Sequence, residues 1–252
     1  MTPAEPLDDA QLLYERAQDH IADYNRRDGA EPGVWRLVSG REPDRGAFTG
    51  TLVVERAVLR NMKPVIGDIA NNLIHALDQV AAVASRAGSS DRPKGLYFPI
   101  APDDAAYAKK RKALEKLLDP PWLDLFAAVR EKHKPWQGYL WLLKEISNSA
   151  KHWELVAGGA GAAAVAWNVP GEQRQTIVQI PKDHFAVNDC FVFWRDAKPV
   201  PKLPFQIVTQ HRFEGMGVGE ASVDSVFSTC SRFVADVIAE SRQRLAAAPM
   251  VA

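Results

Sequence analysis

Between residues 221 and 247, apolar side chains recur at every third or fourth position: Val223, Val226, Phe227, Cys230, Phe233, Val234, Val237, Ile238 and Leu245. At about 3.6 residues per turn they lie along one side of a helix. A stripe of this length needs apolar surface to cover it, so the rest of the chain must fold into a core that receives a long amphipathic helix.

The first half of the chain supplies helices for that core. Ile66, Ile69, Leu73, Leu77, Val80 and Ala84 mark a helix over 64–87, with Pro64 suited to a first turn and Gly88 to a C-terminal stop. Tyr139, Leu142, Leu143, Ile146 and Ala150 mark another over 136–154, and Leu13, Ala17, Ile21 and Tyr24 one over 7–27, closed by Asp28-Gly29. Asp103 reads as the cap of a helix over 104–118, and Asp119-Pro120-Pro121 opens one that runs through Arg130. The Lys109-Lys110-Arg111-Lys112 run reads as a solvated face of the 104–118 helix.

Extended segments come in two groups. Val34 to Val38 and Thr51 to Arg56 alternate or are β-branched, which predicts a hairpin with a loose loop. Val165 to Trp167, Thr176 to Ile180, Phe191 to Trp194 and Phe205 to Thr209 make the second half strand-rich. The Gly158 to Ala164 segment reads as a flexible connection, since it lacks the Lys-Ser/Thr of a phosphate loop. The expected fold is α+β. It has a helical core of five or six helices over about 60–155, a small N-terminal hairpin, and an antiparallel strand region over about 163–213. The helix over about 221–247 caps it, all within one domain spanning 1–252.

Lys plus Arg and Asp plus Glu both number 31, so the chain lacks the basic excess of a protein that grips phosphate backbones, although a local patch stays open. Cys190 and Cys230 make no metal or disulfide spacing, and the opening Thr2 to Asp9 is polar rather than a leader. No segment is apolar enough to span a bilayer. A cytoplasmic, bacterial protein with no metal, no cofactor and no membrane partner is expected; other partners stay unknown, and a homodimer stays open.

Two polar constellations stand out. Asp68, Asn71, Asn72, His75, Asp78 and Gln79 share the side of the 64–87 helix opposite Leu73 and Leu77. Asparagine competes for backbone partners, so two in succession at mid-helix require an offsetting role. Glu145, Asn148, Lys151 and His152 repeat the pattern on the 136–154 helix. The candidate site is therefore Asn71, Asn72, His75, Asp78, Asn148, Lys151 and His152, on the premise that the two polar faces meet. It is either a structural network or a pocket with His75 as acid–base group and Asp78 orienting it. His20 reads as a satisfied core histidine, and the tryptophans of the middle third as core.

Three stretches in order, Asn72-Leu73-Ile74-His75-Ala76-Leu77-Asp78-Gln79, Phe98-Pro99-Ile100 and Asn148-Ser149-Ala150-Lys151-His152, resemble an uncharacterised bacterial family. Its helix reads like Asn-Leu-Arg-x-Ala-Leu-Asp-His and is followed by Phe-Pro-Ile and Asn-x-x-Lys-His. The resemblance spans about residues 10–155 and implies a pairing of two helices rather than a reaction. The chain departs from it where Ile74 and His75 replace the Arg and where Gln79 replaces the His.

Three functions remain open. One is a non-enzymatic protein that binds a small ligand through the polar helix pair. Another is an RNase of the helical HEPN kind, from a toxin or phage-defence system, and the third is a protein-interaction module. The Arg-then-His motif of such RNases does not occur, since Arg16 and His20, and Arg130 and His133, stand closer together than it has them.

Overall fold

A computed structural model describes residues 6–28, 33–86, 95–152, 158–168, 175–181, 184–199, 205–213 and 221–247. In chain order the elements are α1 (Asp8–Asp28), β1 (Trp35–Arg41), β2 (Phe48–Val54), α2 (Arg56–Arg86), α3 (Asp104–Leu114), α4 (Pro120–Lys132) and, after a 3-10 turn at Lys134–Trp136, α5 (Gln137–His152). There follow β3 (Gly158–Asn168), β4 (Gln175–Gln179), α6 (His184–Val187), β5 (Cys190–Asp196), β6 (Gln206–Phe213) and α7 (Val223–Ala247). The fold is α+β. The contacts gather into two compact units of interleaved segments, one helical (1–22, 64–156, 216–252) and one carrying the strands (23–63, 157–215).

In the helical unit most residues of the predicted stripes are buried, while Leu13, Ile21, Tyr139 and Ala150 are half-buried. Ile66, Ile69, Leu73, Leu77 and Val80 of α2, Leu142, Leu143 and Ile146 of α5, and all but Leu245 of the α7 series are inaccessible to solvent or nearly so. Phe98, from the extended stretch before α3, fills the centre. Its ring centroid lies 4.7 Å from that of Phe126 on α4 and 5.9 Å from that of Phe233 on α7. Pro99 excludes the helical region for Phe98, so this stretch crosses the helices as an extended strap. Asp103 caps α3 as read, accepting the Ala106 amide at 2.7 Å.

In the strand unit, β1 and β2 form the expected hairpin, with Gly46 at φ 63° in its loop, where a side chain would be strained. Two three-stranded antiparallel sheets result, in orders β1-β2-β5 and β4-β3-β6. Trp167 of β3 and Phe193 of β5 approach to 6.1 Å, with Phe205 against both, so the sheets share an aromatic core. Gly50, at a register shift in β2, lies under the Phe193 ring; a Cβ there would stand 2.8 Å from it.

Several expectations are corrected. Helix α2 begins at Arg56, so Pro64 lies inside it rather than in its first turn. The ring removes one backbone donor but leaves the turns on either side intact, and the boundary between the units falls at this residue. Helix α3 stops at Leu114, four residues early. The Gly158 to Ala164 segment is strand, not connection: its backbone pairs with β6, which small side chains do not obstruct. The strands of the second half do not all lie in one sheet, because β5 joins the N-terminal hairpin. Trp136 is 47% exposed rather than core. His20 is half-buried, with Nε2 lacking a hydrogen-bond partner among the described residues, so it is not satisfied as expected. Gly29 and Gly88, read as helix stops, lie outside the described residues.

Candidate functional site

The polar face of α2 is tied into the helical unit at two points. Ser147 of α5 donates its hydroxyl to Asn71 Oδ1 at 2.8 Å. One and two turns further along α2 come His75 and Asp78, and Asp78 Oδ1 accepts the Phe98 amide at 2.9 Å. The bond to Phe98 satisfies a donor on the extended strap that no helix or sheet would otherwise engage. Asn72 turns back on its own helix, its Nδ2 donating to the Asp68 carbonyl at 2.8 Å. Asn71, Asn72 and Asp78 are half-buried, whereas His75 is exposed.

On α5, Asn148 is exposed, next to the wholly buried Ser147. Lys151 and His152 belong to the last turn of α5, but their side chains lie outside the described residues. The structure thus brings Asn71 to α5, through a serine that sequence reasoning passed over. The signal was present: Ser147 sits beside Ile146 on the apolar stripe, where a hydroxyl needs a partner.

Two other groups were missed. Lys110, read as part of a solvated run, is half-buried, and its Nζ donates to the Ile100 carbonyl at 2.5 Å. Its amine and that of Lys144 each lie 5.8 Å from the centroid of the Trp141 ring. Burial, then the adjacent Lys144 charge, bring the Lys110 pKa down to about 8, against the opposing pull of Glu145. His133 is buried; its Nε2 lies 2.8 Å from Asp236 Oδ2 on α7, and Lys132 reaches the same oxygen at 2.8 Å. No spacing announces that pair, because its members are 103 residues apart.

Among the described residues the helical unit has a small cavity and a surface groove. The cavity, of about 10 Å³, lies under Phe98, Pro99 and Ile100, beside the stacked Arg130 and Tyr107, and has room for no more than one water. The groove, of about 610 Å³, runs between α4 and α7, lined by Leu125, Ala128, Asp124, Lys132, Glu240 and Arg244 among others. Among the described residues no group of three His, Cys, Asp or Glu side chains is placed to hold a metal ion, and no helix is long and apolar enough to cross a membrane. Compared with protein-family models, curated proteins and solved structures, the chain gives no match.

Proposed function

We propose that this is a non-enzymatic binding protein whose helical unit takes a small polar ligand on the face shared by α2 and α5. The observation behind it is the Asn71–Ser147 hydrogen bond, which fixes one helix against the other next to the exposed Asn148 and one turn from the exposed His75. Asn71 and Asp78 serve as struts in this reading, holding the face rigid so that His75 and Asn148 meet ligand with little ordering cost. An acid–base reading, with His75 as the acid–base group and Asp78 orienting it, is less favoured, since one Asp78 oxygen already accepts a backbone amide. Both cysteines are free, as suits a reducing, cytoplasmic compartment.

The test is an NMR titration of the full chain with nucleosides, amino acids and monosaccharides, following the His75 ring and the Asn148 amide. At least one class should shift both signals, and the His75→Ala, Asn148→Ala double variant should abolish binding. Mixed RNA incubated with the protein should remain intact. Cleavage lost on His75→Ala would replace this reading with the RNase one, and silence from every class would remove it.

A further inference from the structure

We propose that Lys110 and Lys144, side by side at Trp141, form a binding site for a phosphate group. The site stands on residues other than His75 and Asn148 and does not depend on their role. The half-buried arginines of α3 and α4 are matched to carboxylates, Arg111 to Asp124 at 2.7 Å and Arg130 to Asp104 at 2.8 Å. Lys110 and Lys144 are not: among the described residues neither makes an ion pair, although Glu145 acts on Lys110 from a distance.

Two ammonium groups set against one indole ring, with Lys144 acting directly on Lys110, repel each other, and the Lys110 amine is the one held in place. It is anchored by the Ile100 carbonyl at 2.5 Å, and the indole of Trp141 restricts both side chains. A dianion between the amines would convert this repulsion into two charge-assisted hydrogen bonds. Phosphate suits the place better than a carboxylate for two reasons. Its double charge answers both cations, with Glu145 already opposing a weaker anion. Its tetrahedral oxygens can also meet two donors that converge from different helices.

The test uses the full chain and inorganic phosphate, with sodium acetate and sodium chloride at matched ionic strength. Pulsed acetylation with acetic anhydride across a pH series, read by mass spectrometry at Lys110, reports both the pKa and the accessibility of that amine. Phosphate should raise the Lys110 pKa by about one unit and slow its acetylation about tenfold at neutral pH, which the other salts should not do. Lys144→Gln should remove the phosphate effect, and Lys144→Arg, which keeps the charge, should retain it. A phosphate response no larger than that of acetate, or one that persists in Lys144→Gln, overturns the site.

Discussion

Ser147, with no exposed surface, donates its hydroxyl to Asn71 Oδ1 at 2.8 Å, and this bond joins α5 to α2 through two residues 76 apart in the chain. Removing the acceptor leaves a buried donor unpaired, whereas removing both partners leaves no such debt. Asn71→Ala should therefore lower stability by about 1–3 kcal/mol. The Asn71→Ala, Ser147→Ala double variant should be less destabilised than the sum of the singles. Urea denaturation of all four proteins measures the coupling, and strict additivity would show that the bond contributes nothing.

Asp78 plays the same part for the extended strap. Its carboxylate accepts the Phe98 amide, and the Phe98 ring lies between Phe126 and Phe233. Asp78→Ala should cost about 1–3 kcal/mol and raise the hydrogen-exchange rate of the Phe98 amide. Asp78→Asn keeps an acceptor in the same position and should cost less. Equal losses in the two variants would mean that the negative charge, not the hydrogen bond, is what α2 contributes.

Asp236 makes acid stability partly a local property. Burial raises the pKa of its carboxyl, but the hydrogen bonds from Lys132 and His133 outweigh it and hold the group below its ordinary value of 3.8. Between the folded and unfolded pKa values the unfolded chain binds more protons. The stability this group adds is therefore complete above the unfolded value and is lost as pH falls through the folded one. Asp236→Asn should accordingly destabilise the protein more at neutral pH than at about pH 2. Urea midpoints of the two proteins across that range test this, and a constant difference at every pH contradicts it.

Gly50 tests the strand unit. An added side chain meets the Phe193 ring from 2.8 Å away, too close for any Cβ, with the Trp194 backbone-side Cβ at 3.0 Å. Gly50→Val should destabilise by about 1–3 kcal/mol, as overpacking does. The Phe193→Leu change in the same chain should recover part of that loss. Thermal unfolding that leaves Gly50→Val as stable as the parent would mean that β2 shifts freely at its bulge.

How much of the candidate site was legible is seen residue by residue. Asn71 and Asp78 betrayed themselves because polar groups of poor helix propensity sat in a well-formed helix, a conflict that local sequence exposes. Ser147, Lys110 and the His133–Asp236 pair did not, since a serine, a lysine in a basic run and an isolated histidine are each ordinary alone. What gave them meaning was a neighbour from a distant part of the chain.

The sequence by itself determined the longer helices in outline with most of their buried stripes, the hairpin of β1 and β2, and the cap of α3. Each depends on side chains within a turn or two of one another, whose geometry the backbone dictates. Tertiary structure alone decided that β5 pairs with β2 instead of its sequence neighbours, that α2 continues through Pro64, and which polar groups find partners. These outcomes depend on packing among residues far apart in the chain, where several pairings satisfy the same local pattern and only the whole core selects one.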